Sequence, residues 1–188
     1  MNRVNLNIEK KYLFPIPLYK SNLNYPYIDN LKKLLYQIKA KDQGRKISNI
    51  GGWQSHDNLL DYPELKFINN FLDIFTKKEL KVEKYTLNNA WGNISSQYCY
   101  NEIHDHSCQE DNTERNKITC WSGVFYIQCN KDSGGIKFHK PNQPSTYTAF
   151  IPSNNDLIIF PASLPHSVLS NVTEQDRISI AFNFLINS

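Results

Sequence analysis

Several things are scarce in this chain, and each scarcity excludes something. No stretch approaches the roughly eighteen uninterrupted apolar residues that a membrane-spanning helix needs. The first residues (MNRVNLNIEKKYLFPIPLY) hold no uninterrupted apolar core of a secretory signal either. An excess of one charge is missing: 21 Lys and Arg stand against 18 Asp and Glu, a net of +3. With no dense basic run, that balance gives no reason to expect a nucleic-acid partner or a membrane surface. The four cysteines, Cys99, Cys108, Cys120 and Cys129, include no Cys-x-x-Cys pair, so a zinc knuckle is not expected. Together with the missing signal they predict reduced thiols in a cytoplasmic protein (host cytoplasm for a viral one). Glycine is limited to seven residues, and no repeat or low-complexity linker divides the chain. At 188 residues this predicts one domain over 1–188.

The first part carries helical periodicity. In Tyr27 to Lys41 the apolar residues Ile28, Leu31, Leu34, Leu35 and Ile38 fall on one stripe, with Asp29 near the start and Lys39 and Lys41 near the end. A second helix is expected from Pro63 to Leu80, where Leu65, Ile68, Phe71, Leu72 and Phe75 share a face. Between them Gly51 and Gly52 mark a turn. After about residue 82 the texture changes. Short β-branched and aromatic runs alternate with Gly, Pro, Asn and Asp clusters, the pattern of an all-β sandwich or barrel. The expectation is a helical support over 1–81 and a β core over 82–188. In the last run the alternation is explicit. Ile178, Ile180, Phe182 and Phe184 face an apolar layer, whereas Arg177, Ser179, Ala181 and Asn183 place a cation, a hydroxyl and an amide on the opposite face.

Only five histidines occur, and four lie in the β half. His104 and His106 are one residue apart, so on a strand both imidazoles project from one face. His166 follows sixty-two residues later at the start of another strand, with Arg177 beyond it. Two near ligands and one distant ligand make a facial set that leaves positions open on a metal. Asp105 points away from that face, His139 at a strand end reads as a surface residue, and His56 lies in a polar loop.

The ordered set His104-x-His106, SGVFYIQ (122–128), LIIFPASLPHSV (157–168) and RISIAFNF (177–184) resembles the iron(II)/2-oxoglutarate-dependent oxygenases, specifically the 2OG-Fe(II) oxygenase family of bacteria and phages with its prolyl hydroxylase-like members. LFPIPLYKSNL (13–23), SNIGGWQS (48–55), AWGNIS (90–95) and FYIQCNKDSGGIKF (125–138) extend the resemblance over nearly the whole chain. It implies a mainly β, double-stranded β-helix (jelly-roll, cupin-like) core with N-terminal helices packed on it. It also implies an oxidoreductase, a dioxygenase that couples decarboxylation of 2-oxoglutarate to succinate with oxidation of a substrate C–H, typically hydroxylation. On this resemblance Fe(II) is held by His104, His106 and His166. The far carboxylate of 2-oxoglutarate meets Arg177, with Tyr126 and Ser179 donating hydrogen bonds, and Trp91, Asn93 and Asn183 line the cavity. Its substrates would be protein residues or small molecules. Two departures stand out. His106 occupies a position usually held by Asp or Glu, and residues 107–119 form a polar insertion after the His pair. Two rivals remain: a three-His cupin-type dioxygenase that uses no 2-oxoglutarate, for which Arg177 has no purpose, and a non-enzymatic jelly-roll binding module.

Overall fold

The computed structural model describes residues 7–13, 16–106 and 118–187. The 107–119 insertion lies almost wholly outside them. Twelve strands and two α-helices follow in chain order: β1 (Ile8–Leu13), β2 (Ile16–Asn22), α1 (Ile28–Lys39), β3 (Asn49–Ile50), β4 (Trp53–Gln54), α2 (Lys66–Phe75), β5 (Tyr85–Ser95), β6 (Tyr100–His104), β7 (Ile118–Gln128), β8 (Ile136–Lys140), β9 (Gln143–Phe150), β10 (Asp156–Pro161), β11 (His166–Val168) and β12 (Arg177–Asn187). Two antiparallel sheets result. The larger runs β1-β2-β10-β7-β12-β5-β4 and the smaller β3-β6-β11-β8-β9. This is the double-stranded β-helix the sequence led us to expect.

Period-two alternation assigns each face of the large sheet. Phe125, Ile127, Leu157, Ile159, Ile178, Ile180, Phe182 and Phe184 pack outward against Leu31, Leu34 and Leu35 of α1 and Ile68, Phe71, Leu72 and Phe75 of α2. Their neighbours Val124, Tyr126, Ile158, Phe160 and Ala181 turn inward and meet Ile136 and Phe138 of the small sheet. The strands are therefore apolar on both faces where helices cover one side, the signature of doubly buried strands. At Gly123 the outer layer is so close that a Cβ would stand 2.2 Å from Cζ of the buried Phe182 ring. Gly123→Ala is expected to destabilise the fold by about 1–3 kcal/mol, the cost of overpacking a filled core. Thermal unfolding would show it.

The structure departs from the sequence reading in detail. The second helix is one helical path in three parts: a 3₁₀ turn at Pro63–Leu65, α2, and a π-helical stretch at Thr76–Leu80 that ends where Lys81 adopts φ +58°. Residues before 82 also supply strands. β2 pairs with β10, and β1 forms the sheet edge. Their Pro-interrupted, Lys-bearing sequence lacks a clean strand alternation. Exposed Glu9, Lys10 and Lys11 suit an edge that must not recruit another strand. His139 is not a surface residue. It is buried between β11 and β9, with Nδ1 2.7 Å from Pro144 O and Nε2 2.8 Å from Ser167 Oγ. Both ring nitrogens find partners there, which is why burial is tolerated. The expectation of reduced thiols also fails at one position. Cys120 is disulfide-bonded, while Cys99 and Cys129 are free. Sequence spacing alone carries no pairing information, and such a bond is uncommon in a reducing cytosol. Among the described residues no helix is long and apolar enough to cross a membrane.

Candidate metal and co-substrate site

A cavity of about 510 Å³ lies between the sheets. The three histidines meet on its wall. β6 ends at His104, and its antiparallel partner β11 begins at His166, directly opposite it in register. His106 follows β6 and is fixed by its own N–H donating to Ala162 O at 2.8 Å. Ring centroids are 4.3 Å apart for His104 and His166, 4.8 Å for His106 and His166, and 5.2 Å for His104 and His106. One nitrogen from each ring lies within 4.8 Å of those of the other two. Asp105, between the His pair, is exposed and outside this cluster. His56 is also exposed and sits 3.6 Å from Asp42.

The other nitrogen of each ring is already engaged. His104 Nδ1 is 2.7 Å from Glu102 O, and His166 Nδ1 is 2.9 Å from Leu164 O. A carbonyl can only accept, so both rings carry the proton on Nδ1 and keep a lone pair on Nε2. His106 Nδ1 is 2.9 Å from Ser122 Oγ and 3.2 Å from Asn183 Oδ1. Ser122 spends its own proton on Asn183 Oδ1 at 2.7 Å, so here too Nδ1–H is the donor and Nε2 is free. Ser48 Oγ lies 3.3 Å from the Nε2 of His104. Burial keeps all three rings neutral. His104 is held below the ordinary imidazole value, His106 is brought down to about 4 by burial and then by its neighbour His104, and His166 falls well below the ordinary value. Neutral imidazoles with oriented Nδ1–H groups and converging Nε2 lone pairs are what a divalent transition metal needs from a protein. The residues present therefore fit the iron that the sequence resemblance implies.

Arg177 opens β12 on the same wall and is 3% exposed. Its Nη1 donates to Ser133 O at 2.5 Å, Leu169 O at 2.8 Å and Gly134 O at 3.4 Å. Nε and Nη2 make no hydrogen bond to a described residue, and no carboxylate of a described residue lies within 4.0 Å. Gly134 makes this seat possible: its φ is +85°, and a Cβ there would stand 2.3 Å from Leu169 O and 2.6 Å from Arg177 Nη1. Tyr126 and Ser179 face each other across β7 and β12 and line the cavity beside Arg177. Burial pushes the Tyr126 phenol far up, with Arg177 opposing, so it remains protonated and able to donate. Trp91, Asn93 and Asn183 line the same cavity.

Near this end Cys129 is a free, half-buried thiol. Burial, and then Asp156, push it up to about 12. Only the thiolate reacts, so Cys129 is expected to resist iodoacetamide at neutral pH and to react as pH rises toward that value. Mass spectrometry of alkylated peptides across a pH series would record this.

Sequence reasoning missed Ser122, which shares the inward face of β7 with Val124 and Tyr126. Reading the alternation of that strand as far as that of β12 would have found it.

A jelly-roll core thus brings three converging imidazoles and a buried guanidinium, with no carboxylate of a described residue beside it, to one cavity wall, an arrangement able to hold a metal ion and an anionic ligand together. Comparison with known proteins adds what the chain is similar to. The family described as "Putative 2OG-Fe(II) oxygenase" matches residues 143–183, and the resemblance read from the sequence is borne out. No curated protein matches the sequence. Among solved structures, a Pseudomonas putida prolyl-4-hydroxylase superposes with a TM-score of 0.60 at 14% identity, over 97% of this chain and 93% of that one. The viral collagen prolyl hydroxylase of Paramecium Bursaria Chlorella virus-1, in a 2-oxoglutarate complex, gives 0.61 at 14%, over 95% of each chain. HygX from Streptomyces hygroscopicus, with nickel and 2-oxoglutarate bound, gives 0.64 at 12%, over 89% and 82%.

Proposed function

We propose that this protein is an Fe(II)- and 2-oxoglutarate-dependent dioxygenase, acting as a hydroxylase, with the whole chain as one oxygenase domain. The observation that carries the reading is the pairing, in one cavity, of three neutral imidazoles whose Nε2 atoms converge, with only Ser48 Oγ near that of His104, and one buried cation with unspent donors. His104, His106 and His166 hold the metal through Nε2, and Arg177 takes the far carboxylate of 2-oxoglutarate, with Tyr126 and Ser179 donating to it. A guanidinium matches a carboxylate in bidentate fashion, and burial strengthens the pair. Bound there, iron and 2-oxoglutarate supply the oxidising chemistry: the co-substrate is decarboxylated to succinate as a substrate C–H is oxidised.

The protein's own residues do the positioning. Glu102 O, Leu164 O and the Ser122–Asn183 pair fix the ring tautomers and aim the lone pairs. Trp91, in edge contact with His106 at 5.1 Å between centroids, keeps one side of the metal position apolar. The inner layer of Val124, Ile136 and Ala181 limits water around it.

The three-His donor set is one specific observation in favour of a dioxygenase that uses no 2-oxoglutarate. Anaerobic protein charged with Fe(II) and 2-oxoglutarate, then exposed to oxygen, separates the two. Succinate formation supports the proposal. Oxygen consumption without succinate and without 2-oxoglutarate binding supports the rival. Neither, in a folded protein that binds metal, leaves a binding module.

A further inference from the structure

The cavity extends past the metal position, away from Arg177, along β5. Antiparallel register orders the inward residues of β12 against β5 as Arg177 with Ser95, Ser179 with Asn93, Ala181 with Trp91 and Asn183 with Asn89. Because Asn183 touches His106, the metal sits near the Asn183 end and the co-substrate carboxylate near the Arg177 end. Beyond the metal the register slips: Phe184 pairs with Leu87, so Asn88 has no partner across the ladder. This bulge brings two successive residues, Asn88 and Asn89, to the cavity wall. Gln54, paired with Asn93 on the neighbouring β4, joins them.

Four carboxamides therefore bracket Trp91: Asn88 and Asn89 stand on the side away from Arg177, and Asn93 and Gln54 on the other, level with Ser179. None of their side chains makes a hydrogen bond to a described residue, although Gln54 is only 6% exposed and Asn89 Oδ1 is fully buried without a partner. Elsewhere the amides of Asn49, Asn171 and Asn183 are bonded. A buried polar atom left unpaired is costly, so Asn89 Oδ1, beside the open carboxamides of Asn88 and Asn93, marks where a ligand or its water completes the bonding. The rim gives the ligand's charge. Arg45 and Asp57 neutralise each other there at 2.5 Å, and Asp105, an exposed carboxylate on the same lining, has an interaction of its own, so the described charges of the rim are engaged.

Resting on the oxygenase reading, we propose that the Trp91, Asn88 and Asn89 end of this wall is the substrate subsite and that the substrate is a small, uncharged, polyhydroxylated ring, a sugar or cyclitol. Carboxamides offer a donor and an acceptor each, and a hydroxyl group answers both through a single atom. The indole of Trp91 supplies the apolar face on which a ring's C–H groups rest, next to His106 and so next to the oxidising centre. The cavity, about 510 Å³ including the co-substrate end, suits a ring-sized molecule. The reaction converts a ring C–H to C–OH: one oxygen atom of O₂ enters the product, the other enters succinate, and 2-oxoglutarate loses carbon dioxide. Asn89 determines specificity, its buried Oδ1 accepting a substrate hydroxyl.

The test measures succinate from iron-loaded wild-type protein with 2-oxoglutarate and oxygen, alone and with each of four probes: glucose, myo-inositol, maltose and a proline-containing peptide. At least one polyol is expected to raise succinate release tenfold or more over the probe-free rate and to be recovered as a product 16 mass units heavier. Stimulation by the peptide alone, or by no polyol, overturns the inference. The probe-free rate and 2-oxoglutarate binding report separately on the oxygenase reading. With the active polyol, Asn89→Leu is expected to raise KM at least tenfold with a smaller change in kcat, and Asn89→Asp, which keeps an acceptor in place, to restore most of it. Exposed Asn88→Ala, which has little fold to disturb, is expected to raise KM in the same direction; unchanged KM in both Asn88→Ala and Asn89→Leu also overturns the assignment.

Discussion

His166→Ala is expected to lose Fe(II) affinity by on the order of a hundredfold or more and to lose 2-oxoglutarate-dependent succinate formation with it. The expectation follows from the geometry. The three Nε2 lone pairs converge from two elements, and His166 is the sole contribution of β11, facing His104 across the strand pair. Without it two imidazoles remain, His104 and His106, both from the end of one strand, and no third protein donor stands ready among the described residues. The ring is also 2% exposed and packs on Phe138 and Phe160, so the substitution leaves a void. For that reason His104→Ala, at a less buried position, should be measured beside it. Loss of metal in both variants, with circular dichroism like that of the parent, assigns the effect to ligation. Metal binding retained in either variant removes that residue from the ligand set.

The second large effect is at Arg177. A guanidinium stays charged throughout the accessible pH range, and this one is buried with no carboxylate of a described residue beside it. Removing one partner of a buried, hydrogen-bonded ion pair costs about 3–5 kcal/mol. At about 1.4 kcal/mol per tenfold, Arg177→Met should weaken 2-oxoglutarate by about two to three and a half orders of magnitude. Arg177→Lys should also be weak, because a shorter point charge cannot form the bidentate pair and cannot reach the carbonyls of Ser133 and Leu169 in the same way. Thermal denaturation gives an independent readout. Ligand at a hundredfold over its Kd adds about 2.7 kcal/mol to the wild-type protein, and this shift should vanish in Arg177→Met while the metal-dependent shift persists. Equal 2-oxoglutarate shifts in both proteins would place the co-substrate elsewhere.

Much of this was legible in the sequence because strand alternation and ligand spacing are local rules. β12 could be split into a core face and a cavity face residue by residue, and both faces are found where the alternation puts them. His104 and His106 were legible as a pair and His166 as their distant partner. Other features depend on non-local contacts. The Ser122–Asn183 support of His106 joins β7 to β12, sixty-one residues apart, and no spacing rule predicts it. The Asn88 bulge is a register event visible only once β5 and β12 are paired. β1 and β2 escaped notice because edge strands are chosen for pairing and for protection of the edge rather than for a clean apolar period. His139 was misjudged because the acceptor that allows its burial, Pro144 O, and the hydroxyl of Ser167 arrive from β9 and β11.

The central claim is that one cavity holds a metal on three imidazoles and a dicarboxylate on Arg177. It is tested most directly by anomalous diffraction from crystals grown anaerobically with Mn(II) in place of Fe(II) and with 2-oxoglutarate. The account predicts a single strong anomalous peak bound by Nε2 of His104, His106 and His166, with the co-substrate's far carboxylate on Nε and Nη2 of Arg177. Metal bound elsewhere, or a co-substrate whose carboxylate leaves Arg177 unpaired, would contradict it.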